Sequence, residues 1–497
     1  MLLYFRTLFG LLVSLYTSRV ILNSLGVEDY GVFNVVAGVV SMFSLLSNSL
    51  SAAISRYLTF ELGTGNTEKL RVIFSSSVII QFTLALIVVL LIEIVGIWFL
   101  NNYINIPEGR LGAAHWVLQC SAIMFAVNLI SVPYNAAIIA HEKMGFFAYV
   151  SILDQIFKLV IAYLLYVSPF DKLKLYAVLL AVVSILIRII YGTYCKNHFE
   201  ECNGKVKFDK SIISQIASFA GWNFLGATST ILTIQGVNVL MNIFFSVVVN
   251  AARGISLQIE GVIMNFVSNF TTAINPQITK SYALGDKEYM FKLIQRGSKY
   301  SFFLVLIFAL PISLETETIL NVWLGIVPQY TVQFIRLSML VTLLSVISQT
   351  LITAKLATGK IKKAQIVLGG LGVLIFPMVY VAYRLGMPPA MSYIITFVVG
   401  IVQLCYRLCF LRTMIQLSVR CFFKSVLLRD FYVLVFSSIL PVILHFYLPI
   451  EEGLSKLILI CSVSLTTTTL SVYFFGCDKN EQRYIINKIP LLKWIVS

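Results

Sequence analysis

Charge is what this sequence has least of. Asp, Glu, Lys and Arg make up 12% of its 497 residues, about half the share found in a soluble globular chain. Two or three soluble domains of this total length need a charged skin that so few residues cannot supply. Histidine is scarce as well: His115, His141, His198 and His445 are dispersed, with no Cys or Asp frame around them. The eight cysteines show no CxxC spacing, and Cys405 and Cys409, one helical turn apart in an apolar run, read as small hydrophobes rather than metal ligands or disulfide partners. No DxD motif is present and Asp29, which follows Glu28, sits alone, so the chain lacks the handle of a metal-dependent membrane glycosyltransferase, and no enzyme, metal or cofactor is expected.

Apolar residues are abundant instead, at 59% of the chain with a mean hydropathy of +0.89. They recur in runs of roughly 20–28 residues, each long enough to cross a hydrocarbon core of about 30 Å. The alternation of a transmembrane β-barrel is absent. Hydropathy predicts fourteen helical spans over 2–24, 31–54, 72–100, 112–139, 146–168, 174–195, 219–245, 252–275, 297–323, 331–354, 364–385, 390–412, 427–448 and 454–476. The first is too long for a cleavable signal peptide and reads as a retained span. The expected fold is an all-α polytopic membrane protein.

The net charge of +15 belongs to the loops, not to a nucleic-acid surface, since no basic motif is interleaved with aromatics. Connections after even-numbered spans, with the tail, carry roughly 26 basic residues, Lys355 and Arg407 among them, against 5 after odd-numbered spans. The positive-inside rule then puts both termini in the cytoplasm.

Sliding the chain on itself by about 222 residues aligns Glu61-Leu62-Gly63 with Ala283-Leu284-Gly285 and Glu93 with Glu315. A slightly smaller shift aligns Ala140-His141-Glu142-Lys143 with Ala357-Thr358-Gly359-Lys360. Spans 1–6 and 7–12 are therefore expected to be two copies of one unit, in the same orientation and related by a pseudo-two-fold along the membrane normal. The expected organisation is a six-helix lobe over 1–200, a second over 211–420, two further spans within 427–476 and a tail over 477–497. Ser211 to Asn223 reads as a surface helix leading into span 7. Its counterpart lies upstream of Met1, so either the first copy lacks the lead-in or the start is about a dozen residues late.

Charges inside the spans cost about 2.5–3.5 kcal/mol each at mid-bilayer and so mark protein interior or water. Arg19 follows a polar Tyr16-Thr17-Ser18 patch; Arg6, 13 residues earlier, need not share its site. Asp154 and Lys158 are spaced i,i+4 with the acid first, the order that favours an internal pair. Asp154 and Glu260 are candidates for coupling to a proton or sodium gradient. Arg188, Arg253 and Arg336 lie near span ends, where snorkelling competes with function. Hydroxyl and amide side chains crowd spans 1, 2, 7 and 8, which are expected to line the gap between lobes even though most such residues act as packing glue.

The stretches LYTSRVILNSLGVEDYG (Leu15–Gly31), RYLTFELG (Arg56–Gly63), VPYNAAIIAHEKM (Val132–Met144), VVNAARGIS (Val248–Ser256) and NPQITKSYALGD (Asn275–Asp286) resemble bacterial polysaccharide exporters of the O-antigen flippase (Wzx) type. These belong to the multidrug/oligosaccharidyl-lipid/polysaccharide exporter superfamily, and the resemblance runs over spans 1–12. It implies a flippase of the bacterial inner membrane that moves an undecaprenyl-diphosphate-linked oligosaccharide outward by alternating access, for surface polysaccharide or lipopolysaccharide. The partners it implies are that glycolipid, the membrane lipids and polysaccharide assembly machinery, with no nucleic acid. Arg suits the fork geometry of a diphosphate, so Arg19 with Arg56, Arg253 or Lys158, beside Asp154, is the expected substrate site. The rival expectations are an ion-coupled multidrug antiporter centred on Asp154 or Glu260, and a glycan polymerase, which the short outer loops disfavour.

Overall fold

The computed structural model describes residues 2–41, 44–102, 109–203, 209–245, 247–324, 327–447 and 453–488. Helices dominate, and no strand occurs among the described residues. The chain divides into two compact units, Met1–Ala227 with Thr279–Gly285, and Thr228–Ile278 with Asp286–Ser497. The first contains α1 (Leu2–Ser41), α2 (Ser44–Thr64), α3 (Thr67–Leu91), α4 (Ile97–Asn102), α5 (Leu111–Ala140), α6 (Met144–Val167), α7 (Lys172–His198) and most of α8 (Lys210–Ile231). The second takes α9 (Val237–Phe244), most of α10 (Val247–Leu284), α11 (Lys287–Leu314), α12 (Thr316–Leu324), α13 (Thr331–Ile347) and α14 (Gln349–Ala357). It continues through α15 (Lys362–Arg384), α16 (Met391–Ile415), α17 (Val419–Phe422), α18 (Leu428–Tyr447), α19 (Leu454–Ser471) and α20 (Lys479–Lys488).

Eleven helices among the described residues are long and apolar enough to cross a membrane, which makes this a multi-pass membrane protein. The expected spans 2–24, 31–54 and 252–275 are not among the eleven and fall on α1, α2 and α10. α1 breaks at Gly26, whose φ of 80° is open to glycine at no steric cost, close to where hydropathy ends the first span. Two expectations shift. Ser211–Asn223 is no separate surface helix but the first part of α8. α11 starts ten residues before the expected span 9, because Asp286 caps it by accepting from the Tyr289 backbone N–H at 3.0 Å. Hydropathy registers only the apolar part of a helix that runs on beyond it.

The turns carry the repeat more sharply than the sequence does. α2 and α10 both end in a left-handed glycine, Gly65 (φ 73°) and Gly285 (φ 75°). Each is followed by an Asx cap, Asn66 on the Lys69 N–H and Asp286 on the Tyr289 N–H. The register between these turns is 220 residues rather than 222. Likewise Glu142 (φ 59°) matches Gly359 (φ 73°). Glu142 pays the left-handed cost of about 1–2 kcal/mol that Gly359 avoids, and Lys280 Nζ holds its carboxylate at 2.8 Å.

Within the first unit the core joins α1, α3, α5, α6 and α7 through Ile21, Val36, Val88, Leu118, Ala162 and Ala177. Gly63 permits close packing of α2 on the end of α10, since a Cβ there would lie 2.9 Å from that of Ala283. In the second unit Met241, Phe334, Val379 and Val399 form the corresponding centre. Large apolar side chains such as Ile94, Val167, Phe446 and Ile458 face outward, the arrangement for a surface in lipid rather than in water.

Candidate functional site

α1 and α6 meet along a polar seam in the first unit. Asp154 and Lys158 pair at 2.7 Å with their side chains 29% and 42% exposed, so the pair is open on one side. One turn earlier on α6, Ser151 Oγ accepts from Arg6 Nη1 at 3.5 Å, and the Arg6 guanidinium lies 5.2 Å from the Phe147 ring. Further along, the Tyr16 and Tyr163 hydroxyls bond at 3.0 Å. Arg19 belongs to α1, but its side chain lies outside the described residues, as does that of Asn34. The structure therefore joins two of the expected site residues, Asp154 and Lys158, by the internal pair that their spacing predicts.

Arg56 stands apart from them, in an aromatic cage. Its guanidinium lies 4.5 Å from the Tyr57 ring, 5.0 Å from Phe60 and 5.8 Å from Phe219 on α8. Ring faces attract a guanidinium through their quadrupole.

In the second unit Arg253 is only 6% exposed, so its place near a span end does not mean snorkelling. Its Nε donates to Asn238 Oδ1 at 2.5 Å, and its guanidinium lies 5.3 Å from the Tyr393 ring. The Tyr393 hydroxyl in turn donates to Ser256 Oγ at 3.2 Å. Glu260 follows two turns later on the same face of α10, and among the described residues it forms no ion pair. Beside this row α10 turns Gln258, Gly261, Asn265 and Ser268 outward from the unit. Their spacing of three and four residues is a single helix face. A polar face at this depth is unfavourable against hydrocarbon and favourable against water.

Two further cations were hidden among the loop charges. Lys355 is 3% exposed and donates to Gln365 Oε1 at 2.9 Å. Arg407 Nη1 points to the Ser348 carbonyl at 3.4 Å, and its buried Nε has no hydrogen-bond partner among the described residues. No carboxylate pairs with either among the described residues. A sequence signal for Arg407 existed, since it falls inside the span over 390–412; for Lys355 none did.

The remaining charges are accounted for structurally. Arg188 lies 3.7 Å from the Tyr134 ring, in space that a Cβ at Gly192 would take. Arg336 is exposed and donates to the Ser313 carbonyl at 2.9 Å, as a snorkelling residue does. Glu93 accepts from Gln119 at 2.9 Å, and Glu315 bonds His445 Nδ1 at 2.8 Å. Arg110 clasps Asp29 and Asp171, and the bond to Asp29 raises its pKa above the ordinary arginine value. Glu481 accepts from Arg296 at 3.1 Å and Lys299 at 2.8 Å. Burial pushes its carboxyl up, but the Lys299 bond and charge and the Asp478 N–H outweigh this and leave it below the usual range. No cluster of three metal-ligating side chains occurs among the described residues.

No protein-family model matches the chain. Among curated proteins it is similar to an uncharacterized membrane protein, EpsK of Bacillus subtilis (strain 168), with 18% identity over 325 residues and 64% of this chain covered. The chain spans only 63% of that relative's length. Among solved structures it resembles the MATE transporter ClbM in complex with Rb+, with a TM-score of 0.69, 15% identity and 85% and 95% of the two chains covered. An outward-facing multidrug resistance MATE transporter of the MOP superfamily gives 0.68, 11%, 83% and 95%. A MOP superfamily transporter from Pyrococcus furiosus, described as having a binding pocket of reverse polarity, gives 0.66, 13%, 82% and 94%. The chain thus has the fold of these transporters.

Proposed function

We propose that the protein is an alternating-access exporter of the bacterial inner membrane that moves an undecaprenyl-diphosphate-linked oligosaccharide to the outer leaflet, with both termini cytoplasmic. The observation that carries this reading is the state of the buried cations. Arg253 is bonded to an amide, Lys355 to an amide and Arg407 to a carbonyl. Such partners are neutral dipoles and leave the charge of Arg253 and Arg407 in place for a diphosphate. The outward polar face of α10 supports a watered wall on which a glycan keeps its hydroxyls solvated, avoiding the desolvation cost of each in hydrocarbon. The resemblance of Leu15–Gly31 and the other stretches to polysaccharide exporters points the same way. Arg19, Arg56 and Arg253 then contact the diphosphate, with the Asp154–Lys158 pair beside them. Membrane lipids and polysaccharide assembly machinery are its partners.

Likeness to multidrug MATE transporters carries a second reading, an ion-coupled drug antiporter. Glu260, which forms no ion pair among the described residues, then serves as the proton or sodium site. Deletion of the gene separates the two. Lipid-linked glycan accumulating on the inner leaflet, relieved by the wild-type gene and not by Arg253→Gln or Arg19→Ala, is the flippase outcome. Drug hypersensitivity with normal glycan is the antiporter outcome and ends the first reading.

A further inference from the structure

Where the tail leaves the second unit, α11, the π-helical turn Phe423–Leu427 ahead of α18 and the start of α20 enclose a pocket of about 410 Å3. On α11 the lining residues Lys292, Arg296 and Lys299 advance by four and three, which is one helix face. Ser425 lines the pocket from the turn, and Asp478 and Lys479 line it beside and on α20. Four of these six side chains are cations. The one acid is clasped by Arg429 from outside the lining. Two more carboxylates reach the cations: Glu288 accepts from Lys292 at 2.5 Å, and Glu481 accepts from both Arg296 and Lys299. The bonded set thus holds five cations against three carboxylates. Counting Asp430 as well, which lies near Lys299 without bonding it, the set stays positive. Glu481 is not part of the wall: Oε1 takes Arg296 Nε at 3.1 Å, and Oε2 takes Lys299 Nζ and the Asp478 N–H, both at 2.8 Å. Bonded through Nε among the described residues, Arg296 keeps its two terminal amino groups for another acceptor. Ser425 Oγ is buried with no hydrogen-bond partner among the described residues.

A group that answers these walls must bring negative charge and several acceptor oxygens, to meet a guanidinium edge, ammonium groups and a hydroxyl at once. A phosphate does so, whereas a chloride ion has no oxygens to match the guanidinium fork. The depth fits as well. Phe423, two residues before Ser425, and Phe474, four before Asp478, are exposed, so the outward apolar surface ends beside the pocket, at the level where lipid phosphates lie. We propose that this pocket is a phosphate site, taking the headgroup of an anionic phospholipid or a free phosphate. The bound phosphate ties α20 to α11 and to the turn before α18. None of its residues belongs to the diphosphate or coupling sites above, so it stands independently of the export reading.

Lys479 provides the test, because it is exposed and forms no ion pair among the described residues, so replacing it leaves the fold intact. The full-length protein in phosphatidylcholine nanodiscs is titrated calorimetrically with inorganic phosphate, and in uncharged detergent micelles with a fluorescent cardiolipin. Saturable binding is expected in at least one arm. Binding of cardiolipin alone assigns a lipid headgroup, binding of phosphate alone assigns a free phosphate, and phosphate that displaces cardiolipin shows one site open to both; each supports the site. Lys479→Glu is expected to weaken the bound ligand about tenfold, and Lys292→Gln with Lys479→Gln by a similar factor, with the melting temperature of the ligand-free protein unchanged. Lys363→Gln, at an exposed lysine of α15 outside the pocket, is expected to bind like wild type. Binding in neither arm overturns the site, as does wild-type affinity in both pocket variants. Equal displacement by chloride at matched ionic strength, or an equal loss in Lys363→Gln, reduces it to general surface charge and overturns it too.

Discussion

Two sets of charges, one in each unit, are satisfied in opposite ways. In the first, Asp154 and Lys158 neutralise each other along one helix at 2.7 Å. In the second, Arg253, Lys355 and Arg407 are held by amides, a ring face and a carbonyl. An ion pair hides both charges from a ligand. A cation held by neutral dipoles keeps its field, and in a low-dielectric surrounding that field is strong. The first arrangement stabilises a helix in the bilayer; the second preserves a capacity to attract an anion.

The second unit also holds a buried ion pair, which sets the scale of the contrast. The Lys299 and Glu481 side chains are 4% and 7% exposed and 2.8 Å apart. Glu481→Gln removes the carboxylate bonded to a buried ammonium and is expected to cost up to about 3–5 kcal/mol, read from denaturant unfolding in detergent micelles. The pH dependence has a definite sign. Because the Glu481 carboxyl is held below its ordinary value, its contribution is complete above the unfolded value of about 4.3. It is lost as pH falls through the lower folded value. Wild type should lose stability on acidification over that window and Glu481→Gln should not; parallel curves would show that α20 docks by other means.

Smaller effects are expected where cations are held by neutral groups. Arg253→Lys removes the donor to Asn238 and the planar contact with Tyr393, a loss of about 1–3 kcal/mol in stability, with transport falling further because the fork is gone. Lys355→Met and Arg407→Met go the other way. Each removes a buried charge that has no carboxylate partner, so folding should gain about 1–2 kcal/mol while glycolipid export falls. A loss of stability in both variants would make these cations structural and remove the contrast between the units.

Much of this was legible in the sequence. Apolar runs marked the helices, the i,i+4 order marked the Asp154–Lys158 pair, and the repeat came within two residues of the matching turns at Gly65 and Gly285. The missing parts have a common physical cause. Hydropathy ends a span where charge begins, so Lys355 was counted with the loops, although α14 carries it inward to Gln365, while Arg407 fell inside the span over 390–412 and was still tallied with the loop charges. Likewise the polar opening of α8 looked like a surface helix. Arg253 could not be separated from a snorkelling residue because its partners, Asn238 and Tyr393, come from other helices.

The smallest effect is the one that best separates the two functional readings. Asp154 and Lys158 are both partly exposed, so their coupling in a double-mutant cycle is expected to be at most about 1 kcal/mol. Asp154→Asn alone leaves Lys158 uncompensated, whereas Asp154→Asn with Lys158→Met removes both charges at similar volume. If the pair only allows α6 to insert, the double variant should fold and flip glycolipid at close to the wild-type rate while each single variant is impaired. An antiporter centred on Asp154 predicts the reverse pattern: every variant lacking the carboxylate, the double one included, loses ion-coupled transport. Export measured with and without an imposed proton or sodium gradient in the double variant therefore decides whether this carboxylate is a brace or a coupling site.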